Sequence, residues 1–174
     1  IAPKYADPNG YDIVSGKVDS YTVVPGDNTI TVTVKAHHTT TTETKTVNRT
    51  VKIYVPGRET LTTNQTVTLT RTVDRNDATD ETTPGEWSTD HFTAVDVPTV
   101  PGYTADRTVP AMDVNSETPD TTVEVHYTAN TNPITIKYVD EKSGQVVNTV
   151  TGQTGKTGET IAPKYADPNG YDIV

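Results

Sequence analysis

Apolar and polar residues alternate along much of the chain, and apolar side chains fill most of the alternate positions in five segments. These segments are residues 29–35, 47–55, 66–73, 122–128 and 134–139. A period of two is typical of a strand with one buried face and one solvent-exposed face. Pro-Gly, Ser-Gly and Asn-Gly pairs separate the segments and are typical of turns. The pattern therefore predicts a mainly β fold, or α+β at most.

The densest set of strand signals lies in residues 47–128, which we expect to fold as an autonomous and mostly antiparallel β domain. Its inward-facing side chains are expected to be Val51, Ile53, Val67, Leu69, Trp87, Val125 and Tyr127. Trp87 has a second interpretation, because an exposed indole can stack on a sugar ring. A single tryptophan in a small β domain usually belongs to its core, so the core position is favoured.

The same 14 residues, IAPKYADPNGYDIV, occur at positions 1–14 and again at positions 161–174. An identity of this length does not arise by chance. We expect the chain to be one period of a tandem array plus this overlap, taken from a longer polypeptide; an artificial duplication is the alternative. The period is 160 residues, which is too long for a solenoid, so each period should contain whole domains.

Two polar stretches divide the chain. Residues 37–46 contain no apolar side chain and residues 129–132 precede Pro133, so both are interpreted as linkers around the domain. Residues 133–174 would then be the N-terminal part of a smaller module, and residues 1–36 the C-terminal part of another copy of it.

Neither piece of this split module can pair all its strand edges alone, and two or three strands without a second layer are marginally stable in water. We therefore expect neighbouring repeats to associate head to tail. In that arrangement residues 133–160 of one chain complete the module begun by residues 1–36 of the next.

The charge balance narrows the functional classes. The chain has 14 Lys and Arg against 23 Asp and Glu, a net charge of −9. Nucleic-acid binding needs clustered cations, so this class is excluded. No apolar run approaches the ~18–20 residues of a membrane-spanning helix, and we expect neither membrane insertion nor a signal peptide within this sequence. The absence of cysteine excludes disulfides and thiol catalysis; chance and a bacterial surface origin both explain it.

Few residues offer catalytic or metal-binding chemistry. The histidines are His37, His38, His91 and His126. A zinc site needs three or four convergent ligands, and no such spacing is present. Ser88, Asp90 and His91 have the residue types of a catalytic triad, but they lie in one short segment without a nucleophile elbow. We expect no catalytic residue, no metal site and no cofactor.

The densest acidic stretch, Asp74–Glu81, is a candidate calcium loop. An EF-hand loop requires Gly at its sixth position and Glu at its twelfth. Thr79 and Gly85 occupy those positions. A hairpin tip kept soluble by charge is the favoured interpretation.

Two sets of motifs resemble a known family. The first set is ITIKYVDE at 134–141, Gly144, Thr151-Gly152, GKTGET at 155–160 and Gly170-Tyr171, and it is similar to the MucBP module of the mucus-binding adhesins of lactic-acid bacteria. The second set is Thr50-Val51, QTVT at 65–68, Trp87-Ser88-Thr89, Val97-Pro98, Pro101-Gly102-Tyr103 and Val125-x-Tyr127, and it resembles the second module of the same repeats. Together the sets cover nearly the whole chain; the His37-His38 threonine run belongs to neither.

This resemblance implies tandem, β-grasp-like modules in an elongated array, secreted and covalently anchored to the Gram-positive cell wall. It implies binding of host mucin glycoproteins and, for some repeats of the family, of immunoglobulins. It supplies no catalytic residue and no agreed ligand-binding residue, so the ligand-binding residues are unknown.

The sequence leaves two functional hypotheses open. The first is a mucin-binding repeat of a surface adhesin, in which many weak contacts act together on a polyvalent ligand. The second is a passive stalk, in which threonine-rich β modules serve as a spacer and a different domain binds the ligand. An enzyme is the least favoured class, because no nucleophile, acid–base pair or metal cluster is visible.

Overall fold

The computed structural model describes all 174 residues, which form twelve strands and no helix. The strands are β1 (Tyr11–Ser15), β2 (Thr33–Ala36), β3 (His38–Ile53), β4 (Leu61–Asn76), β5 (Thr82–Pro84), β6 (Asp90–Phe92), β7 (Tyr103–Ala105), β8 (Met112–Val114), β9 (Thr121–Val125), β10 (Tyr127–Ala129), β11 (Thr131–Val139) and β12 (Val146–Lys156). The mainly β class is confirmed.

The largest sheet has the strand order β5-β4-β3-β9. Side-chain hydrogen bonds from Thr66 to Asn48 and from Thr50 to Asn64 show that β3 and β4 run in opposite directions. β3 also pairs in parallel with β9, from Arg49↔Thr121 to Ile53↔Val125. The sheet is therefore mixed, because it contains both antiparallel and parallel pairs. Its first strand in the sequence, β3, lies beside its last, β9, as expected of a β-grasp-like module. The remaining pairs, β1-β2, β10-β7, β11-β12 and β6-β8, are two-stranded and antiparallel.

The two stretches interpreted as linkers are mostly strand. Residues 38–46 are the first part of β3, with every side chain exposed, and in the second stretch only Asn130 lies between β10 and β11. The lack of apolar residues therefore reflects the exposure of both faces. Backbone hydrogen bonds to a neighbouring strand and the high strand propensity of threonine suffice to form a strand here.

One strand that the sequence predicts is shorter in the structure. Alternation predicts a strand over residues 29–35, but only Thr33–Ala36 is strand, paired with β1. Residues 29–32 have the strand pattern but no hydrogen-bonded neighbour strand.

The chain divides into two compact units, each with its own apolar core. The first unit comprises Ile1–Asn48, Thr66–Phe92 and Met112–Asp120. Its core consists of Val47, Val67, Leu69, Phe92 and Val114, with Trp87 and Met112 packed against it.

The second unit comprises Arg49–Gln65, Thr93–Ala111 and Thr121–Val174. Its core consists of Val51, Ile53, Val55, Val109 and Val125. The expected burial of Val51, Ile53, Val67, Leu69 and Val125 is confirmed, whereas Trp87 and Tyr127 are half-buried at the edges of the cores.

Arg49 occupies an inward-facing position of β3 and is only 2% exposed. Its guanidinium donates to Gln65 Oε1 at 2.7 Å, to Thr93 O at 2.9 Å and to Pro110 O at 3.1 Å. A buried cation is tolerated when its donors are satisfied in this way. Along β3, Arg49 lies two residues after Val47 and two residues before Val51.

The two copies of the duplicated segment adopt different structures. In the first copy, Tyr11–Ser15 forms β1 and pairs with β2. In the second copy, residues 161–174 contain no strand. Each copy lies in a different unit, so the same sequence is seen in two surroundings.

Candidate functional site

The hairpin of β3 and β4 brings the two N-terminal histidines to the acidic stretch. Nδ1 of His37 lies 2.5 Å from Oδ2 of Asp77, and Nδ1 of His38 lies 2.7 Å from Oδ2 of Asp74. Thr39 donates a further hydrogen bond to Asp77 Oδ2 at 2.7 Å. These pairs are not apparent from the local sequence, because the partners are separated by 36 to 40 residues.

The acidic loop is held by its own cation and by an amide side chain. Arg75 bonds to Asp77 Oδ1 at 2.7 Å and also to Asp80. Asn76 Oδ1 accepts the backbone N–H groups of Ala78 and Thr79. No group of three His, Asp or Glu side chains has the geometry of a metal site. The carboxylates of Asp77 and Asp80 bond to Arg75 and stabilise the turn.

These contacts shift two titrations in opposite directions. The hydrogen bond to Asp77, helped by the nearby charge of Asp12, raises the pKa of His37 above its ordinary value. The hydrogen bonds from Thr39 and His37 lower the pKa of Asp77. Both shifts favour the ion pair.

Trp87 is not free for sugar stacking. The Arg71 guanidinium carbon lies 4.7 Å from the centroid of the indole, and Arg71 Nε bonds to Glu43 Oε2 at 2.6 Å. The indole is half-buried and also packs against the first core. A cation over an aromatic face is a stabilising contact in its own right. Trp87 therefore has a structural role.

The triad-like residues do not form a triad. Ser88 Oγ accepts the backbone N–H of Thr70 at 2.9 Å. His91 Nδ1 lies 3.6 Å from Oδ1 of its neighbour Asp90, and both side chains are about half exposed. The serine is used to pair the segment with β4.

An exposed aromatic and acidic patch lies on the second unit, and sequence reasoning missed it. The Tyr54 and His126 rings stack with centroids 4.6 Å apart and planes inclined by 12°. The Tyr54 hydroxyl donates to Glu124 Oε1 at 3.1 Å, and this bond raises the pKa of Tyr54. His126 and Glu124 are half exposed. We call these three residues the stacked patch; the parallel β3–β9 pairing that brings them together is invisible in local sequence.

A comparison with protein families decides the affiliation of the chain. The Muc B2-like domain model matches residues 38–131, more than half of the chain. The chain belongs to the Muc B2-like domain family. In this Muc B2-like chain, the matched region begins at the first residue of β3 and ends at the first residue of β11. It therefore includes residues 38–46 of the threonine-rich stretch that was interpreted as a linker.

Several solved structures are similar to this Muc B2-like chain. The mucin-binding domain of Spr1345 from Streptococcus pneumoniae is 31% identical, with 53% of this chain and 97% of that chain covered and a TM-score of 0.47. Mub-RV is 24% identical, with 70% and 76% covered and a TM-score of 0.56, which shows a shared fold. The type 2 repeat of the mucus binding protein MUB from Lactobacillus reuteri is 25% identical, with 70% and 76% covered and a TM-score of 0.44. A search of curated proteins gave no match.

The affiliation supports an adhesin-type repeat at the cell surface. No membrane-spanning helix is present among the elements of the structure.

Proposed function

We propose that this chain is a repeat unit of a secreted, cell-wall-anchored bacterial adhesin that binds host mucin glycoproteins without enzymatic activity. The match of the Muc B2-like domain over residues 38–131 carries the proposal. The Spr1345 domain from Streptococcus pneumoniae, which is 31% identical, is a mucin-binding domain. Immunoglobulins are proposed as a second ligand class on the sequence resemblance alone.

The stacked patch is the surface we propose for sugar contact. The outer face of the His126 ring offers a flat apolar surface, and the carboxylate of Glu124 beside it accepts hydrogen bonds from hydroxyl groups. Because the chain carries a net charge of −9, it repels anionic sugars, so uncharged sugar residues fit it better. Weak contacts of this kind give useful avidity when many repeats meet one mucin.

Binding to immobilised mucin tests this proposal. We expect the chain to bind intact and desialylated mucin and to lose binding when all glycans are removed. Absence of binding to every form of mucin would favour the passive stalk instead. The same assay with purified immunoglobulins tests the second ligand class.

Two matched variants test the site. His126→Ala removes the outer ring of the stacked patch, and His91→Ala removes a histidine of equal exposure, 58% against 57%, elsewhere on the surface. We expect the first variant to weaken mucin binding several-fold and the second to leave it unchanged. Equal binding by both variants would place the ligand on another surface.

A further inference from the structure

The chain passes twice from a two-stranded pair into a longer hairpin, and the two connections have the same geometry. The first leads from β1–β2 into β3–β4, and the second leads from β7–β10 into β11–β12. In each connection a single residue lies between the last strand of the pair and the first strand of the hairpin. This residue is His37 in the first connection and Asn130 in the second.

Each strand pair presents the same turn to its hairpin. The Tyr11 N–H donates to Pro8 O at 2.9 Å, and the Tyr103 N–H donates to Val100 O at 3.1 Å. The residue before the tyrosine is a glycine in both turns, with φ of +80° in the first and +81° in the second. A four-residue turn with positive φ at its third residue is of the type that favours glycine there.

In the first connection, His37 bonds to the pair and to the hairpin through its two backbone groups. Its N–H donates to Gly10 O at 2.8 Å, and its C=O accepts the N–H of Asp77 at 2.8 Å. Asp77 directly follows β4, the second strand of the hairpin. A side chain on Gly10 would collide with the backbone of Asp77 and Ala78, so the turn directly contacts the end of the hairpin. We call Gly10, His37 and Asp77 the first joint.

Asn130 makes the same two bonds in the second connection. Its N–H donates to Gly102 O at 2.8 Å, and its C=O accepts the N–H of Thr157 at 3.0 Å. Thr157 directly follows β12, and a side chain on Gly102 would collide with the Thr157 side chain. We call Gly102, Asn130 and Thr157 the second joint. The first joint lies within the first unit and the second joint within the second unit, so each unit contains one joint of its own.

A side chain from the first strand of the hairpin supports each joint. Thr39 Oγ1 donates to Asp77 Oδ2 at 2.7 Å, and Asn132 Nδ2 donates to Thr157 Oγ1 at 3.0 Å. Each donor lies two residues after the middle residue of its joint. The turn, the two backbone bonds and this side-chain bond therefore agree, although the residues that follow the turn differ. Such agreement indicates a specific mode of docking.

The joints differ in whether their side chains can ionise. In the first joint, Nδ1 of His37 lies 2.5 Å from Oδ2 of Asp77. In the second joint, Asn130 Oδ1 accepts a hydrogen bond from Thr104 Oγ1 at 2.5 Å, and neither side chain titrates. The other ionisable groups that line the cleft around His37 are Asp7, Tyr11, Asp12, Arg75 and Asp80, and the His38–Asp74 pair follows on the hairpin.

We propose that the Gly-Tyr turn is a docking surface whose partner is the end of the following hairpin, and that each closed joint holds strand pair and hairpin in one fixed orientation. The first joint loosens as pH rises, because an ion pair helps to close it, whereas the second joint stays closed. This goes beyond mucin binding and does not depend on it.

The direction of the pH dependence follows from the charges at the first joint. The hydrogen bond to Asp77 and the charge of Asp12 raise the pKa of His37, and the hydrogen bonds from Thr39 and His37 lower the pKa of Asp77. The ion pair is therefore lost as pH rises through the folded pKa of His37. A neutral imidazole keeps at most an uncharged donor, which bonds more weakly to a carboxylate. The backbone bonds and the Thr39 bond remain, so the joint weakens but does not disappear.

Amide hydrogen exchange of four residues tests the pH dependence. The N–H groups of His37 and Asp77 close the first joint, and those of Asn130 and Thr157 close the second. From about pH 5.5 to about pH 8.5, on either side of the ordinary pKa of histidine, protection at the first joint should fall about two- to fivefold after correction for intrinsic rates, the range for an exposed ion pair. Protection at the second joint should stay constant. Equal behaviour of the two joints overturns the proposal.

Distances between pairs of spin labels test whether each joint fixes an orientation. The chain has no cysteine, so labels attach only at introduced cysteines. Thr33→Cys with Thr42→Cys spans the first joint, and Thr128→Cys with Thr135→Cys spans the second; all four positions are exposed and lie in strands. We expect one narrow distance distribution for each pair at about pH 5.5, below the ordinary pKa of histidine. A broad distribution at either joint overturns the proposal.

Glycine variants test the docking surface. Gly10→Ala and Gly102→Ala each place a methyl group against a hairpin end, whereas at Gly26 and Gly57, also at positive φ, it meets nothing within 4 Å. We expect Gly10→Ala to broaden the distribution across the first joint only, and Gly102→Ala to broaden the second only. The effect at Gly10 should be larger, because it faces backbone and not a side chain. Equal broadening by Gly26→Ala and Gly57→Ala overturns the proposal, since backbone strain alone would then explain it.

A converted joint identifies the titrating pair. His37→Asn combined with Asp77→Thr gives the first joint the side chains of the second. We expect the double variant to keep the narrow distribution between positions 33 and 42 and to lose the pH dependence of exchange at positions 37 and 77. A pH dependence that persists would assign it to other groups, and a broad distribution would show that the two joints are not equivalent; either result overturns the proposal. None of these measurements involves mucin, so they stand apart from the test of the proposed function.

Discussion

Residues 1–14 and 161–174 share one sequence but not one structure, and their comparison separates local from tertiary effects. Both copies form the same turn, with the glycine at φ +80° in each. Both also bond a backbone N–H to an aspartate, Ile13 to Asp7 at 3.2 Å and Ile173 to Asp167 at 3.0 Å. Only the first copy continues into a strand.

The difference shows that the turn is encoded locally and the strand is not. Pro, Asn and Gly set the turn through their own conformational preferences and short hydrogen bonds. A strand needs a neighbour for its backbone groups, and only the first copy has β2 beside it. Environment alone therefore decides the secondary structure of the residues YDIV.

The largest expected difference between the copies is at their glycines. In Gly10→Ala, a methyl group at positive φ would collide with the backbone of Asp77 and Ala78, whereas at Gly170 it meets nothing within 4 Å. We expect Gly10→Ala to cost about 2–5 kcal/mol, from left-handed strain and overpacking together. Gly170→Ala should cost only the strain, about 1–2 kcal/mol. Urea unfolding of both variants measures this, and equal losses would contradict the close approach to the loop.

Substitutions of the isoleucines at positions 13 and 173 should also differ in their cost to stability, but by less than the glycine substitutions. Ile13 faces Val34 and is half-buried, whereas Ile173 is 55% exposed. We expect Ile13→Ala to cost about 1–2 kcal/mol, part of the value for a fully buried isoleucine. Ile173→Ala should stay within about 0.5 kcal/mol, as is usual for surface changes. Hydrogen exchange of β2 amides gives the first value, and a large loss from the second change would show that residues 171–174 are already packed in the monomer.

At the first residue of the segment, the substitution in the second copy should cost more stability than the one in the first copy. Ile161 is half-buried beside Gly155, whereas Ile1 is 76% exposed. We expect Ile161→Ala to cost about 1 kcal/mol, less than a fully buried site, and Ile1→Ala to have no measurable effect. Amide protection in β11 and β12 is the measurement. A larger effect from Ile1→Ala than from Ile161→Ala would contradict the packing of Ile161 beside Gly155.

The smallest expected difference is in pH dependence. The His37 backbone N–H donates to Gly10 O at 2.8 Å, so the first copy is attached beside the His37–Asp77 pair. The raised pKa of His37 contributes stability that is present below its unfolded value and lost as pH rises through the folded pKa. The lowered pKa of Asp77 contributes stability that is lost as pH falls through the folded pKa.

Amide exchange in the first copy should therefore be slowest between the ordinary pKa values of aspartate and histidine, about 4 to 6.5, after correction for intrinsic rates. The second copy lacks a histidine at this place and should show no such optimum. His37→Gln should remove the optimum from the first copy. An optimum that persists in this variant would assign the effect to other groups.

The sequence predicted side-chain burial correctly where alternation within one strand determines it. Val51, Ile53 and Leu69 alternate with polar residues, and their burial follows directly from the period of two. The same rule places Arg49 inward, but only the structure shows that Gln65 and two carbonyl groups satisfy it.

What the sequence could not predict depends on pairing between distant segments. Residues 38–46 carry no apolar signal, so their inclusion in β3 depends on β4 being beside them. The His37–Asp77 pair and the stacked patch likewise need β3 to lie next to β4 and β9. The local pattern of apolar and polar residues therefore predicts the strands. The side-chain sites depend on which strands pair and in which register.

The parallel pairing of β3 with β9 also has a mechanical consequence. β3 opens the Muc B2-like domain, and β9 runs beside it in the same direction shortly before the domain ends. Tension through the chain pulls the start of β3 and the end of β9 in opposite directions along the strand axis. The hydrogen bonds between Arg49–Ile53 and Thr121–Val125 then carry the load together, in shear, instead of opening one after another. In the wall-anchored adhesin proposed above, this shear geometry resists extension of the chain between β3 and β9.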